Sequence, residues 1–242
     1  MMSPDQVIAH LKKHVLFQGC TDAFLNDLAE KAVLQRLSKG QVLFLQHDEA
    51  KRFFLVLKGW IKLYRETLDG AQAIVDVVPS GQMFGEAPLF LDHTSSFGAE
   101  ATDVSEVISL PLQPLEAELK KNPAFALEML KHMAQRQQNQ ERELEHRDLQ
   151  TAPQRIGCFI LRLAKQDAEG SVTLHLPYDK NLVAQRLGMQ PETFSRALSK
   201  LKKATNMEVK GSTIRLESLQ TLAEFCCAGC SSTFPCGDLT SK

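Results

Sequence analysis

The sequence lacks any apolar run that approaches the roughly 20 residues a helix needs to cross a bilayer, although 43% of its 242 residues are hydrophobic. The first residues, 1–5, are polar and acidic, so we expect no signal peptide. The sequence also lacks a phosphate-binding glycine loop, a nucleophile elbow and a pair of catalytic carboxylates. These absences predict a cytoplasmic protein that is not an enzyme and has no membrane partner.

The net charge is also small, since the chain has 28 Lys and Arg side chains and 29 Asp and Glu side chains. The charges are nevertheless distributed unevenly. Residues 1–150 carry a net charge of −5, residues 151–223 carry +5, and residues 224–242 carry −1. A basic segment beside an acidic one is typical of a protein in which one part meets phosphate groups. Charge alone favours a nucleic-acid partner only slightly over chance segregation of surface charges.

Short apolar runs separated by turn residues dominate residues 39–112 and predict strands. We expect strands at Val42–Leu45, Phe53–Leu57, Trp60–Tyr64, Ala73–Val78 and Val107–Leu110. Many short strands at this spacing are typical of a small sandwich or barrel. Ahead of them, the helical spacing of apolar residues over 4–37 predicts short helices, with Val33 on the last apolar face.

Strong helix formers fill residues 124–150 and predict one long helix. A seam along this helix follows the 3-4 spacing of a coiled coil and is the predicted dimerisation face: Leu127, Leu130, Ala134, Gln137, Glu141, Leu144 and Asp148. The seam begins apolar and becomes polar, so pairing through it should be weak. On a two-fold axis, Glu141 would face its own symmetry mate, and like charges would weaken the pair. The alternative is a solvated helix that lies along its own sheet.

Residues 178–201 carry the pattern of two helices joined by a tight turn. The apolar side of the first helix is formed by Leu182, Val183 and Leu187. Gly188 permits the turn, and Pro191 suits the first turn of the second helix. The buried stripe of the second helix is formed by Phe194, Leu198 and Leu201. This pattern predicts a helix-turn-helix.

The second helix would present residue types that read base edges and hold phosphates: Glu192, Thr193, Ser195, Arg196 and Lys200. Lys180, at the start of the first helix, is a further predicted DNA contact. A β-hairpin around Gly211 follows, which makes the segment a winged helix. The alternative is an ordinary helical hairpin with a charged outer face.

With these motifs in place, residues 15–222 resemble the CRP/FNR family of bacterial transcription regulators. Besides the winged helix, three stretches look like the β-roll of that family: Lys39–Phe44, Phe53–Tyr64 and Gly81–Glu86. The resemblance implies an α+β fold with four parts: an N-terminal β-roll like a cyclic-nucleotide-binding jelly roll (1–112), a long dimerisation helix (113–150), a C-terminal winged helix-turn-helix (151–223) and a cysteine-rich tail (224–242). It also implies a homodimer on a two-fold symmetric operator in double-stranded DNA, with RNA polymerase as a further partner.

The segment Gln190–Arg196 is particularly similar to the Dnr branch of the family, which handles nitric oxide and denitrification. In FNR-like members a Glu-x-x-Ser-Arg pattern reads TTGAT-type half-sites, and here it matches Glu192, Ser195 and Arg196. The resemblance therefore implies a regulator that senses nitric oxide, oxygen or redox state. Which of these it meets, whether it activates or represses, and which genes it controls stay open.

Cyclic-AMP-binding members of the family carry an Arg-Ser or Arg-Thr pair that neutralises the cyclic phosphate. The matching stretch here is Ser95–Gly98, which contains no cation. A buried phosphate without a paired cation is costly to desolvate. Cyclic AMP is therefore disfavoured as the ligand.

FNR itself holds an iron–sulfur centre on a cluster of N-terminal cysteines, whereas this chain has only Cys20 in that region. The predicted metal ligands are instead the tail cysteines Cys226, Cys227, Cys230 and Cys236. Their Cys-x-x-Cys spacing suits an iron–sulfur cluster or zinc, and it is similar to the C-terminal cluster cysteines of Bacillus-type FNR proteins. The alternative is an oxidation-prone tail without metal. Cys158, in a predicted core helix, is interpreted as a buried small hydrophobe.

Haem is the competing cofactor, because the Dnr resemblance implies nitric oxide sensing through haem. His14 is the candidate axial ligand, and His10, His47 and His93 are weaker candidates. A single histidine is more often a surface or hydrogen-bonded residue than a ligand. Two other functions stay open, namely a redox or metal sensor that acts through a protein partner and a regulator that responds to a cyclic nucleotide.

Overall fold

The computed structural model describes residues 2–164, 171–176 and 179–230. The chain divides into two units, Met1–Ala134 and Gln135–Lys242. Within the described ranges, every helix is too short or too polar to cross a membrane.

Two capped helices open the first unit. Helix α1 spans Pro4–Leu11, and Ser3 and Gln6 form a reciprocal capping box that satisfies two backbone N–H groups at its start. Helix α2 spans Asp22–Glu30, and the side chain of Thr21 caps it in the same way as Ser3 caps α1. Each helix buries one apolar face, as the helical spacing predicts.

Eight strands in the first unit form two four-stranded antiparallel sheets. Their bounds are β1 Val33–Leu37, β2 Val42–Phe44, β3 Arg52–Lys58, β4 Trp60–Glu66, β5 Gln72–Pro79, β6 Met83–Phe84, β7 Gly98–Ala101 and β8 Ser105–Pro111. The first sheet has the order β1-β8-β3-β6 and the second has the order β2-β7-β4-β5. The predicted sandwich is confirmed, and each predicted strand has a counterpart with shifted ends.

The helical interpretation of Val33 is wrong. Val33 begins β1, which pairs with β8 from Val33 opposite Ser109 to Leu37 opposite Ser105. The pairing gives hydrogen-bond partners to backbone groups at that edge of the sheet, and this long-range gain overrides the local periodicity. Val33 is 49% exposed, so its apolar character carries no information about a buried helix face.

Two apolar cores hold the first unit together, because successive side chains of β3 point to opposite faces of its sheet. Between the sheets, the rings of Phe44, Phe54 and Phe84 stack with centroids 5.2 to 6.3 Å apart. Phe53 and Leu55 belong to the second core, which lies beneath α1 and α2.

Helix α3 spans Leu112–Lys121, and the long helix α4 spans Pro123–Leu149. The long helix predicted over 124–150 is confirmed, and a separate helix precedes it because the chain leaves helical conformation at Asn122. Phe125 and Met129 of α4 pack into the second core of the first unit. All the predicted seam residues are exposed: Leu127, Leu130, Ala134, Gln137, Glu141, Leu144 and Asp148. Exposed leucines along one stripe of a helix are available to a partner, although the dimerisation role of this seam stays a prediction.

The second unit contains a helical bundle and a small sheet. In the described part of this unit, the elements beyond α4 are α5 Ala152–Leu163, β9 Val172–His175, α6 Lys180–Arg186, α7 Pro191–Thr205, β10 Glu208–Lys210, β11 Thr213–Leu216 and α8 Leu219–Cys227. The three strands are antiparallel in the order β10-β11-β9. The predicted wing hairpin is therefore β10 and β11, with β9 as a third strand.

Candidate nucleic-acid interface and sensor residues

The helix-turn-helix begins with α6, whose first turn is capped by Asp179. The Asp179 carboxylate accepts a hydrogen bond from the backbone N–H of Leu182 at 2.9 Å, as a capping residue should. After α6, Gly188 has a φ of +64°, a left-handed conformation that favours glycine. Helix α7 then starts at Pro191, with Glu192 at the positive end of the helix dipole. The turn predicted from the sequence therefore has the backbone geometry it requires.

Helix α7 has one buried and one exposed face. The buried residues are Phe194, Ala197, Leu198, Leu201 and Thr205. The predicted reading residues are all exposed on the opposite side: Glu192, Thr193, Ser195, Arg196 and Lys200. Lys180 is exposed in the first turn of α6. The arrangement can place a guanidinium, a carboxylate and hydroxyl groups against base edges and phosphates.

A half-buried carboxylate of α4 binds two arginines of the second unit, and no sequence pattern predicts this contact. Glu143 lies 2.9 Å from the guanidinium of Arg186 and 3.2 Å from that of Arg162. Burial alone would raise the pKa of Glu143, but the charges and hydrogen bonds of Arg186 and Arg162 outweigh burial and lower it. Arg186 belongs to α6 and Arg162 to α5, so one carboxylate joins the end of the long helix to both.

His14 lies in the first unit, where it caps a 3₁₀ turn, Val15–Phe17. Its Nδ1 accepts a hydrogen bond from the backbone N–H of Leu16 at 3.3 Å. Its ring meets that of His132 edge-on, with centroids 5.3 Å apart. Burial and His132 lower the pKa of His14 to about 4, and the carboxylate of Glu86 opposes them with a smaller effect. His14 is therefore neutral near pH 7, which is the form of imidazole that binds metals.

Sequence reasoning identified His14 but missed both of its titratable neighbours. Glu86 is 2% exposed, which is rare for a carboxylate. The weaker haem candidates lie elsewhere: His10 is on α1, while His47 and His93 have left-handed backbone conformations.

Comparison with known protein families gives these two units an identity. The cyclic nucleotide-binding domain family matches residues 34–122, and the Crp-like helix-turn-helix domain family matches residues 154–225. A solved structure of a Ruegeria pomeroyi protein, named for cyclic-nucleotide binding, is 31% identical and covers 93% of this chain and 99% of its own, with a TM-score of 0.67. The chain belongs to the CRP/FNR family. It is a DNA-binding transcription regulator of that family, whose members are not enzymes.

Two other relatives place the chain within the CRP/FNR family. The fumarate and nitrate reduction regulatory protein of Escherichia coli strain K12 is 27% identical over 191 residues, which are 78% of this chain and 76% of that protein. The structure of DNR from Pseudomonas aeruginosa is 28% identical and covers 90% of this chain and 96% of its own, with a TM-score of 0.51. Both likenesses agree with the resemblance inferred from the sequence at the level of the family.

The resemblance matches Ser95–Gly98 to the stretch that carries the phosphate-binding pair in cyclic-AMP-binding CRP/FNR proteins, and the structure brings a cation to this stretch from another strand. Nε of Arg65, on β4, donates a hydrogen bond to the backbone carbonyl of Ser96 at 3.1 Å. Arg65 and Ser96 both line an open pocket of about 560 Å³. The Lys62 ammonium, also on β4, lies 3.0 Å from Glu100 in an ion pair. The sequence did not predict the contact of Arg65 with Ser96, because the two residues are 31 positions apart in the chain.

The predicted metal ligands of this CRP/FNR regulator are only partly within the described residues, because Cys236 lies outside them. Cys226 is fully buried, and its burial raises the pKa of its thiol far above the usual range. Cys227 and Cys230 are partly buried. Among the described residues, no three His, Cys, Asp or Glu side chains are arranged to hold a metal ion. The described thiols thus do not form a ligand set by themselves, and the iron–sulfur assignment stays a prediction.

Two further cysteines differ from the tail cysteines. Cys158 is partly exposed, and its Sγ lies 4.0 Å from Nδ1 of His146, so its interpretation as a purely buried hydrophobe is wrong. Cys20, in the first unit, is half-buried near Glu118. Burial, with a smaller contribution from that carboxylate, raises the pKa of Cys20 to about 11.

Proposed function

We propose that this CRP/FNR regulator binds a symmetric TTGAT-type operator as a homodimer and responds to nitric oxide, oxygen or redox state. The observation that carries the proposal is the exposed face of α7. Glu192, Ser195 and Arg196 lie together there, and their spacing matches the half-site-reading pattern of FNR-like proteins. An exposed guanidinium at this place can bind the O6 and N7 atoms of guanine in the major groove.

The homodimer is supported by α4. Its exposed stripe includes Leu130, which is 63% exposed, and Leu144, which is 56% exposed. Pairing of two such stripes would bury both leucines and would bring two recognition helices onto one operator. A change in that pairing is the simplest route by which an effector alters the spacing of the two helices.

Two independent features support nitric oxide, oxygen or redox state, rather than cyclic AMP, as the signal. The first is the likeness to DNR, the 28% identical regulator of Pseudomonas aeruginosa. The second is the absence of an arginine at Ser95 and Ser96, where cyclic-AMP-binding members carry their phosphate partner. Arg65 approaches Ser96 from β4, so cyclic AMP remains a competing ligand that calorimetry on the full chain can reject or retain.

The donor chemistry of His14 would fit haem only after a change of tautomer. The imidazole is neutral, and because Nδ1 accepts the N–H of Leu16, the ring proton is on Nε2 and neither nitrogen offers a free lone pair to iron. Ligation through Nε2 would require the hydrogen bond to Leu16 to break and the proton to move to Nδ1. Haem would supply a site for a diatomic gas, while the protein would pack the ring of His14 against His132. An absorption spectrum of anaerobically purified protein tests this assignment. A Soret band indicates haem, and a broad shoulder near the visible edge indicates an iron–sulfur cluster. The absence of both bands would reject both cofactors.

The operator is tested by gel-shift titration of Arg196→Ala on a symmetric TTGAT site and on the same site with its guanines replaced. We expect the variant to lose about 1–3 kcal/mol for each half-site, which is roughly 5- to 150-fold in affinity per half-site contact, on the TTGAT site. The loss should nearly vanish on the guanine-free site, since the lost contact is to that base.

Arg215→Ala is the matched control, because Arg215 is an exposed arginine of β11 in the same unit. It should weaken both sites equally or leave both unchanged. Equal weakening of both sites by Arg196→Ala would make Arg196 a phosphate contact and overturn its role in reading the half-site. The absence of any salt-resistant complex on the TTGAT site would instead favour a sensor that acts through a protein partner.

A further inference from the structure

A thiol–imidazole cluster lies in the second unit where α4 ends. We define it as His146, Cys158 and Cys230. The His146 ring is 8% exposed, its Nε2 lies 3.5 Å from Sγ of Cys230, and its Nδ1 lies 4.0 Å from Sγ of Cys158. Residues 84 positions apart in the chain therefore meet at one ring. Neither His146 nor Cys158 belongs to the predicted metal-ligand set.

The hydrogen bonds of the cluster fix the tautomer of His146. The guanidinium of Arg162 lies 3.1 Å from Nδ1 of His146, and a guanidinium can only donate hydrogen bonds. Nδ1 must therefore accept, so in the neutral ring the proton is on Nε2. That N–H faces the sulfur of Cys230 and can donate to it. A nearby N–H donor with a cation behind it is the environment in which sulfur acts as a nucleophile.

The same geometry disfavours one metal ion at the cluster. Cys158 and Cys230 approach opposite nitrogens of one ring, so a single ion bound to His146 could reach only one of the two sulfurs. The cluster is therefore better suited to the chemistry of the thiol itself than to metal binding.

A second thiol lies one turn away from Cys230. Cys227 ends α8, and its backbone carbonyl accepts a hydrogen bond from the N–H of Cys230 at 3.1 Å. Cα atoms three positions apart in such a turn are less than about 7 Å apart, which is within reach of a disulfide. Cys226 is a poor partner, because it is fully buried and its sulfur packs against Gly157. Cys227 is partly exposed and is the partner that geometry favours.

We propose that Cys230 is a peroxide-reactive thiol positioned by His146, and that its oxidation ends in a reversible disulfide with Cys227. The sulfur of Cys230 attacks one oxygen of hydrogen peroxide, the O–O bond breaks, and the departing hydroxide takes up the thiol proton as water. The resulting sulfenic acid is attacked by the sulfur of Cys227. The S–O bond breaks, a second water leaves with the Cys227 proton, and the S–S bond forms. The two sulfurs together lose two electrons to the peroxide, and a dithiol reductant returns them.

This proposal deepens the redox part of the proposed function and rests on it, whereas the reading of the operator by α7 does not depend on it. The link to the DNA-binding helices is Arg162, which contacts both His146 and Glu143. Formation of the disulfide would move the Cys230 sulfur away from His146, so His146 would lose one contact. The ion pair of Arg162 with Glu143 would remain. His146 is accordingly a positioning residue, and Cys230 is the reacting one.

The test is differential alkylation of the full-length, fully reduced protein during exposure to a small excess of hydrogen peroxide, with peptide mass spectrometry at each time point. Cys230 should oxidise at least tenfold faster than Cys226, which is fully buried, and than Cys20, whose thiol donates to the backbone carbonyl of Leu16. The product should be an intramolecular Cys227–Cys230 disulfide, also in the Cys236→Ser variant. Equal oxidation of Cys230 and Cys226, or a disulfide that joins Cys230 to a different cysteine, would overturn the proposal.

Variants separate chemistry from packing. Cys227→Ser should stop the reaction at a sulfenic acid that a dimedone probe traps on Cys230. His146→Leu should slow oxidation of Cys230 by about tenfold, and His146→Gln, which keeps an N–H donor, should restore part of the rate. Failure of Gln to restore the rate while both variants retain wild-type circular dichroism would make His146 only a packing residue and contradict its positioning role. Titration of the reduced protein with the TTGAT operator is scored separately, so a failed operator result leaves the thiol result interpretable.

Discussion

Glu143 is the residue whose neutralisation should reveal how the long helix is attached to the DNA-binding helices. Its carboxylate accepts hydrogen bonds from Arg186 and Arg162 and is 35% exposed, while those two arginine side chains are 18% and 26% exposed. The Glu143→Gln variant keeps the shape and one acceptor oxygen but removes the charge. The two guanidinium groups then lie close together without the negative charge of Glu143 between them.

The loss of stability in Glu143→Gln depends on how exposed the carboxylate of Glu143 is. A hydrogen bond to a charged group contributes about 1.5–3 kcal/mol when buried, whereas a fully exposed ion pair contributes about 1 kcal/mol or less. Glu143 lies between these cases, so solvent screening reduces each of its two contacts, and we expect a loss of about 2 kcal/mol in the free energy of unfolding. For a chain of this size, that loss lowers Tm by about 4–8 °C.

The pH dependence gives a sharper test than the loss at one pH. The charged arginines hold the folded-state pKa of Glu143 below its unfolded value, so its contribution is fully present above the unfolded pKa. The contribution is lost as the pH falls through the folded pKa. The difference in stability between wild type and Glu143→Gln should therefore be largest at pH 7 and should shrink on acidification below about pH 4.

The measurement is thermal or urea unfolding of both proteins at a series of pH values. Glu128→Gln is the matched control, because Glu128 lies on the same helix and pairs with Lys131 at an exposed position. It should leave Tm unchanged within error. An unchanged Tm for Glu143→Gln at pH 7, or a deficit that persists undiminished to pH 3, would refute the reasoning.

Three further predictions concern packing, pairing and titration. Gly157→Ala should destabilise the second unit by about 1–3 kcal/mol in calorimetry, because the new Cβ would lie 2.2 Å from Sγ of Cys226, and Cys226→Ala should relieve most of that loss. Glu141→Leu should raise operator affinity without any effector, because it replaces a charge on the exposed seam with an apolar group. Unchanged affinity in gel shifts would reject the hypothesis that Glu141 weakens the dimer. Stability should fall between pH 6.5 and pH 4 by up to about 3 kcal/mol through His14, since its pKa of about 4 when folded lies below the unfolded value. A His14→Gln variant should lack that part of the pH dependence, and a wild-type slope in it would contradict the assignment.

Local sequence patterns predicted most of the architecture. The strands β3, β4, β5 and β8, the long helix α4 and the pair α6 and α7 all follow from apolar spacing and turn residues within short windows. These patterns are informative because α7 buries one face, whereas β3 and β8 bury side chains on both faces and so stand out as continuous apolar runs. Periodicity failed at Val33, where hydrogen bonds to a strand some seventy residues away decided the conformation. It also missed β6 and β7, whose two and four residues are too short for a period to show.

The sequence by itself determined the two-part architecture, the family and the residue types on the reading face of α7, because these depend on neighbours along one helix or strand. Only the tertiary structure decided which polar groups meet. Glu143 with Arg186, His14 with His132, and His146 with Cys230 are separated by 43, 118 and 84 residues along the chain, as their contacts show. No periodic pattern marks such pairs, since the chain must fold before their charges and ring nitrogens come within a few ångströms. Folding also buries His14, and burial together with His132 lowers its pKa. The contacts of His146 with Arg162 and of Glu143 with Arg186 set the tautomer of His146 and attach the long helix to the helix-turn-helix.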